Sequence, residues 1–309
     1  MAIVALCAAT AAAWLAALGW PFELFSHFRL QYLSVGALLA AAALLSGRRG
    51  YALTALIATT MNLVNLDGPA IVNAAPVDPG CTGSEFTVIT ANVEFTNRDH
   101  DSLLRWLRTQ SADVMVLEEV TASWARSLEK FPGYGFRSIR PREDPYGLAL
   151  LSRRPLQSVE WLDFTGDGVP TVSAMLEIGD QPLELIGMHT HSPTAPDRLR
   201  ARDIELARVA ERATYGGQPT VVLGDLNVSP DAPAFAALLE NGRLRDTLAA
   251  NGWRPTWRAD FWPLALRLDH VLASPGFCVV SSGVGPDVGS DHRPVRVTLR
   301  LPRPRAGGA

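Results

Sequence analysis

Apolar residues are concentrated at the amino end of this 309-residue chain. Across residues 1–20 the only polar side chain is Thr10, and no charged residue occurs before Glu23. Two further apolar runs follow, 30–46 and 51–66, the second interrupted by threonine and asparagine. A helix needs ~20 mostly apolar residues to cross a ~30 Å hydrocarbon layer. The pattern therefore predicts a transmembrane anchor in residues 1–66 with about three helices, or two as the alternative.

The positive charges around these runs predict their orientation. Arg48 and Arg49 lie in the short link between the second and third runs, whereas no Lys or Arg occurs between the third run and Arg98. Arg29, in the first loop, is a single contrary charge. Since positive loops stay in the cytoplasm, we expect a multi-pass protein of the cell membrane with the rest of the chain outside. The first run resembles a signal peptide in apolarity, but it lacks an amino-terminal Lys or Arg.

The remainder of the chain has the composition of a folded domain. Residues 67–84 are rich in Pro, Gly and small residues and predict a linker, and residues 302–309 predict a disordered tail. The net charge of −3 offers no excess of positive charge for non-specific binding of polyanions. Three cysteines show no zinc-ligand spacing. Outside the cytoplasm Cys81 and Cys278 could form a disulfide, and two separate thiols are the alternative.

Between residues 85 and 301, hydrophobic runs typical of strands interleave with amphipathic helical stretches. The helices are predicted over residues 99–110, 194–213 and 232–240. The strands are predicted over residues 86–93, 113–120, 146–152, 171–177, 183–190, 220–225, 268–273 and 295–301. Because the middle of this part contains strands alone, the pattern favours mixed sheets covered by helices over a doubly wound sheet.

Polar side chains follow several of these strands at their ends. In an α/β fold such residues line the crevice where ligands bind. Each is weak by itself, since a lone polar residue at a strand end is often a cap or a turn residue. Taken together, they predict one shared site. The residues are Asn92, Glu119, His191, Asp225, Asn227, Asp269, Asp291 and His292.

The words NV, VLEEV, HSP, GDLN, RLDHVL and GSDHRP, in this order, resemble the endonuclease/exonuclease/phosphatase superfamily. The resemblance covers about residues 85–301, and GDLN with GSDHRP is its most specific pair. It implies a DNase-I-like fold, a four-layered α/β sandwich of two mixed β-sheets flanked by helices, here behind the transmembrane helices. The residue before the family's metal-binding Glu is usually Gln but is Glu118 here, so Glu119 is aligned with that ligand.

The resemblance also implies a metal site. Glu119 would hold a divalent cation, with Asn92 beside it and Asp291 near the metal. Mg²⁺ is the expected cofactor, with Mn²⁺ as the alternative, because Mg²⁺ prefers oxygen ligands and keeps several waters.

The same resemblance implies roles for five catalytic residues. Asp225 would orient or deprotonate the attacking water, and Asn227 and His191 would donate hydrogen bonds to the phosphate. His292 would act as a base or stabilise charge, with Asp269 fixing its tautomer. His189 is interpreted as a structural residue, and His270 as a packing residue.

The predicted function is a metal-dependent phosphoric ester hydrolase. The lack of a basic run and the predicted anchor favour a phosphorylated, lipid-linked substrate and the bilayer as partners over nucleic acid, and no protein partner is evident. The combination resembles the glycopeptide (vancomycin/teicoplanin)-resistance-associated branch, linked to a polyprenyl diphosphate carrier. The alternatives are an endonuclease or other phosphodiesterase, and a lipid-binding protein without activity. Trp257, Phe261 and Trp262 suit either core packing or an apolar lip at the interface.

Overall fold

The computed structural model describes residues 1–64, 66, 75 and 81–301. The predicted tail, 302–309, and most of the predicted linker, 67–84, lie outside the described residues. Four helices form the amino-terminal part: α1 (Ala2–Trp14), α2 (Phe22–Ser26), α3 (Arg29–Leu45) and α4 (Arg49–Val64).

These helices are shorter than the transmembrane helices predicted from the sequence. With 13, 17 and 16 residues, α1, α3 and α4 rise about 20, 26 and 24 Å, less than the ~30 Å of a hydrocarbon layer. Helix α1 stops early because a 3₁₀ turn follows it and Gly19 adopts a left-handed conformation (φ 83°). Within the described residues no helix is both long and apolar enough to cross a membrane, so the prediction of transmembrane helices is wrong there.

Twelve strands follow the helices. They are β1 (Ser84–Asn92), β2 (Val114–Glu118), β3 (Phe136–Arg140), β4 (Leu148–Ser152), β5 (Leu156–Leu162), β6 (Thr171–Ile178), β7 (Gln181–Met188), β8 (Thr220–Asp225), β9 (Arg245–Asp246), β10 (Asp269–Ala273), β11 (Cys278–Val284) and β12 (Val295–Leu301). One sheet has the order β11-β12-β1-β2-β4-β3 and the other β5-β6-β7-β8-β10-β9. Only the pairs β1–β2 and β7–β8 are parallel among these ladders, so both sheets are mixed.

The two sheets pack face to face, with helices on their outer faces. Val88 lies in the core between the sheets, whereas its neighbour Ile89 lies in the outer core with the helices, because successive strand residues point to opposite faces. Helices α5 (His100–Gln110) and α6 (Ala122–Glu129) cover the first sheet, and α7 (Pro196–Tyr215) and α8 (Pro233–Asn241) cover the second. The prediction of two mixed sheets flanked by helices is confirmed.

A disulfide closes one edge of the domain. Cys81 and Cys278 are bonded, with their Cα atoms 6.5 Å apart and 197 positions between them in the sequence. The bond joins the segment before β1 to the first residue of β11, and both strands pair with β12. Of the two alternatives for these cysteines, the structure therefore contains the disulfide, and Cys7 is a free thiol.

Candidate active site

The strand ends bring the candidate residues together from both sheets. Asn92 is the last residue of β1, and Glu119 directly follows the parallel strand β2. In the other sheet Asp225 ends β8 and pairs with Asp269, the first residue of the antiparallel strand β10. Because the sheets face each other, these four side chains meet at one end of the sandwich, as the hydrogen bonds below show.

Backbone geometry decides which of two adjacent glutamates faces the site. Glu119 has a left-handed conformation (φ 62°), and its carboxylate accepts hydrogen bonds from Asn92 Nδ2 and the Phe95 N–H, both at 2.9 Å. Glu118 is fully buried, and the Thr90 hydroxyl donates to it over 2.5 Å. Burial raises the pKa of Glu118 well above its usual range. The alignment of Glu119 with the metal ligand fits this geometry.

Asn92 bridges two carboxylates. Its Nδ2 donates to Glu119 Oε1 at 2.9 Å and to Asp225 Oδ2 at 3.2 Å, while its Oδ1 accepts from the Glu94 N–H at 2.9 Å. The amide oxygen has two lone pairs, so it can accept this hydrogen bond and still face a cation. Asn92 thus holds two carboxylates in place, and its predicted position beside the cation stays a prediction.

His292 and Asp269 form a buried pair. His292 Nδ1 donates to Asp269 Oδ2 over 2.8 Å, and Nε2 lies 3.6 Å from Asp225 Oδ2. Burial disfavours the imidazolium, but the carboxylates of Asp269 and Asp225 outweigh it and raise the pKa of His292 to about 10. Burial alone would raise the pKa of Asp269, yet His292 lowers it. Of the two predicted roles for His292, this charge state favours stabilising negative charge.

Asp225 is the most connected carboxylate of the site. Its Oδ1 accepts from the Asn227 N–H at 3.0 Å, and its Oδ2 faces Nε2 of both His189 (3.5 Å) and His292 (3.6 Å). Burial raises its pKa, although His292 acts in the opposite direction. Asn227 Nδ2 donates to the Thr190 carbonyl at 2.9 Å, which uses one of its two amide hydrogens.

The structure places His189, rather than His191, at the cavity described below. His191 lies between two carboxylates, with Nε2 2.9 Å from Asp167 and Nδ1 3.1 Å from Glu205, and it does not line the cavity described below. His189 does line that cavity, and its Nδ1 donates to the Pro145 carbonyl at 2.9 Å. Strand alternation could not assign them, because β7 ends at residue 188, before both histidines.

His270 is a packing residue, as the sequence predicts. Its ring stacks against Phe235 at 4.5 Å, and its Nε2 donates to the Val228 carbonyl at 2.8 Å. Burial lowers its pKa to about 4.

A cavity of about 540 Å³ opens at this end of the sandwich. Four carboxylates line it, together with three histidines and one guanidinium: Glu94, Glu119, Asp225, Asp291, His27, His189, His292 and Arg198. Glu94, Arg198 and His27 were not among the residues predicted from the sequence. Glu94 lies two residues beyond Asn92, so its position after β1 was a usable signal, whereas nothing in the sequence pointed to the other two.

The residues around the cavity fit a hard divalent cation. Asp225, Asp269 and His292 offer ligand atoms within 4.8 Å of one another, and His292 Nδ1 and Asp269 Oδ2 are hydrogen-bonded to each other over 2.8 Å. Glu119 and Asp291 offer further carboxylate oxygens to the cavity, and the Trp257 indole donates to Asp291 Oδ2 at 3.0 Å. Oxygen donors suit Mg²⁺. A phosphate facing four carboxylates also requires a cation to offset their repulsion.

The comparisons with known proteins agree with this arrangement. The sequence model described as the Endonuclease/Exonuclease/phosphatase family matches residues 89–292. A search of curated proteins found no significant match.

Several solved structures share the fold. D. rerio TDP2 complexed with a single-strand DNA product is 18% identical over 70% of this chain and 99% of that chain, with a TM-score of 0.59. The endonuclease/exonuclease/phosphatase from Beutenbergia cavernae DSM 12333 is 23% identical over 71% of this chain and 72% of that chain (TM-score 0.57). Sphingomyelinase C from Streptomyces griseocarneus is 18% identical over 69% and 99% (TM-score 0.52).

Proposed function

The chain belongs to the endonuclease/exonuclease/phosphatase family, and from this premise we propose that it is a Mg²⁺-dependent hydrolase of lipid-linked phosphoesters or diphosphates at a membrane. Members of this superfamily hydrolyse phosphoesters and use divalent metal ions. The observation that carries the proposal is the convergence of Glu119, Asp225 and the His292–Asp269 pair at one cavity.

The residues around the cavity divide the chemistry among them. Glu119, with Asp291 and Glu94 beside it, would hold the cation, which when bound polarises a phosphoryl oxygen and offsets developing charge. Asp225, whose pKa is raised by burial, takes the proton of the attacking water at Oδ2. Asn227 donates its remaining amide hydrogen to a phosphoryl oxygen.

Two histidines complete this arrangement. His292 presents a cationic Nε2–H to the phosphoryl group, since Asp269 holds the hydrogen on Nδ1. His189 presents Nε2 to the same cavity, because its Nδ1 is bonded to the Pro145 carbonyl. We assign to His189 the donor role that the sequence predicted for His191.

The distribution of small and large apolar residues in the amino-terminal helices supports the proposal that they contact lipid. The positions buried between them hold small residues, and a side chain at Gly36 would collide with Thr59. The outward positions hold large apolar residues. The small buried residues include Ala13, Ala40, Ala43, Ala52, Ala55 and Ala58. The large exposed residues include Val4, Leu38, Leu45, Leu53, Ile57 and Val64. Small residues inside and large apolar residues outside are typical of helices packed in lipid.

We therefore propose a peripheral or embedded attachment of these helices to the cell membrane, without assigning them a span. The Asn62 amide donates to Thr10 Oγ1 at 2.9 Å, which links α4 to α1 within an apolar bundle. The Cys81–Cys278 disulfide supports an extracytoplasmic catalytic domain, because such bonds persist in oxidising compartments. We further propose kinship with the glycopeptide-resistance-associated branch, on the words HTHSP and RLDHVL.

The charge of the cavity disfavours the nuclease alternative. Among the described residues that line it, Arg198 is the one Arg or Lys, against four carboxylates. Polynucleotide binding draws its affinity from several cationic contacts with phosphates.

The test is phosphate release by the detergent-solubilised full chain. The assay compares four substrates, each with Mg²⁺ and with a chelator: a polyprenyl diphosphate, a phospholipid, an inositol phosphate and plasmid DNA. We expect the fastest Mg²⁺-dependent release from the polyprenyl diphosphate. Faster cleavage of DNA, weakened steeply by salt, would contradict the substrate class, and activity that survives the chelator would contradict the metal requirement.

A further inference from the structure

The corner between α2 and α3 forms one wall of the catalytic cavity. Leu24 of α2, with His27 and Phe28 before α3, lines the same space of about 540 Å³ as Glu119 and Asp225. Leu24 and Phe28 are half-buried, so each keeps surface that faces the cavity. The amino-terminal helices are thus part of the site as well as a separate apolar bundle.

Buried polar contacts hold this corner against the catalytic domain. Glu23 Oε1 lies 2.6 Å from Arg202 Nη2, and both side chains are at most 5% exposed. His27 Nδ1 lies 2.8 Å from Ser229 Oγ and accepts from the Ser229 N–H at 3.2 Å. Ser229 is only two positions beyond Asn227. The wall is therefore fixed directly to the loop that carries catalytic residues.

A third contact extends the attachment along α3. Gln31 Nε2 donates to the Ala265 carbonyl at 2.9 Å, in the segment that precedes the apolar residues Leu266 and Leu268. Those two leucines also line the cavity. The contact thus links the corner to a second apolar surface of the same cavity.

Apolar groups consequently flank the carboxylates. Trp257, Leu266 and Leu268 belong to the catalytic domain, and Leu24 and Phe28 belong to the corner. Trp257 joins the two regions chemically, since its ring is apolar and its indole N–H donates to Asp291. A substrate that placed a phosphate at the carboxylates would have the next few atoms of its organic group against these side chains. Burial there is favourable only for an apolar group.

We infer that Leu24 and Phe28 bind the apolar chain of the substrate next to its phosphate, which makes the α2–α3 corner a specificity-determining wall. This inference rests on the proposed function and names the part of the chain that recognises the lipid. A polar organic group in the same place would lose hydrogen bonds to water without replacing them. The wall therefore selects for an alkyl or isoprenoid chain.

The test compares two prenyl diphosphates of very different chain length. Farnesyl diphosphate and isopentenyl diphosphate are hydrolysed by the full chain in detergent with Mg²⁺, and kcat and KM are measured for each. For Phe28→Ala we expect kcat/KM to fall about tenfold or more with farnesyl diphosphate, mainly through KM, because a large apolar contact is lost. With isopentenyl diphosphate we expect a change of less than about twofold, since its shorter chain reaches less of the wall.

Phe25→Ala is the matched control. Phe25 lies in α2, three positions before Phe28, but it is 37% exposed and does not line the cavity, so both substrates should be hydrolysed as by the wild type. Phe28→Leu, which keeps apolar bulk, should restore most of the activity toward farnesyl diphosphate.

The outcomes separate the inference from the function on which it rests. Equal losses on both diphosphates in Phe28→Ala, or no loss on either, would overturn the wall assignment while the hydrolase stands. A wild-type protein that releases phosphate from no phosphoester would overturn the proposed function, and the wall assignment with it.

Discussion

His292 donates its Nδ1 hydrogen to Asp269 over 2.8 Å, and this single bond directs the opposite nitrogen, Nε2, toward Asp225. The bond fixes the orientation of the ring, and the two carboxylates together raise the pKa of His292 to about 10. Asp269 is fully buried, so the pair forms the buried end of the network. The positive charge of His292 thus depends on a carboxylate that does not line the cavity.

Replacing Asp269 by asparagine should remove that support. We expect Asp269→Asn to lower kcat about a hundredfold or more with little change in KM, because His292 loses the carboxylate that stabilises its positive charge and orients its ring. Steady-state kinetics on the best substrate of the phosphate-release screen provide the measurement. Asp260→Asn, at an exposed carboxylate that pairs with Arg293, is the control and should behave as the wild type. Equal kcat values in the two variants would refute the role of the pair.

The two adjacent glutamates should differ sharply in metal binding. Glu119→Gln removes a cavity-facing carboxylate, so we expect the affinity for Mn²⁺ to fall about tenfold or more. Titration followed by electron paramagnetic resonance measures this without catalysis. Glu118→Gln keeps the shape and can still accept from Thr90, so its affinity should change less than about threefold. The reverse ranking would show that Glu118 is the ligand.

Substitution of His189 should lower activity, whereas substitution of His191 should lower stability. We expect His189→Gln to lower kcat about tenfold or more, since it removes a donor that faces the cavity. His191→Gln should instead cost about 1–3 kcal/mol of unfolding free energy, because it breaks the contacts to Asp167 and Glu205. Kinetics and urea unfolding are measured on both variants. A large loss of kcat in a stable His191→Gln protein would restore the role predicted from the sequence.

Reduction of the disulfide should weaken the catalytic domain. We expect loss of the Cys81–Cys278 bond to lower the free energy of unfolding by about 2–5 kcal/mol, since it closes a long loop. Urea unfolding with and without dithiothreitol measures the change. Cys81→Ser lacks the bond, so its unfolding midpoint should be the same with and without the reductant. Cys7→Ser, at the free thiol, should retain the full effect of the reductant. An identical midpoint under both conditions would show that the bond is absent in solution.

The attachment of the helical corner can be tested through its ion pair. Arg202→Met leaves Glu23 buried without a partner, so we expect a loss of about 3–5 kcal/mol in unfolding free energy. The double variant Glu23→Leu/Arg202→Met should recover a large part of it, because no buried charge remains. Additive losses in the double variant would mean that the two side chains do not interact.

Much of the catalytic domain could be predicted because its strands are buried on both faces. Strands such as β8 and β12 are rich in Val and Thr, and their predicted bounds match the structure. The strands β3 and β5 were missed, since they are mostly exposed edge strands without an apolar pattern. The exposed side chains of Phe261 and Trp262 disfavour core packing for that segment, whereas Trp257 lines the cavity.

The sequence determines the order of the motifs and the type of each polar residue at a strand end. These alone predicted the family resemblance, the sheets and a phosphate site. The sequence pattern does not show which way each of these side chains points. The left-handed backbone at Glu119, the irregular path after Met188 and the turn at Gly19 each redirect a side chain or end a helix. Such local conformations are stabilised by distant contacts, so only the tertiary structure decided which glutamate, which histidine and which helix corner face the cavity.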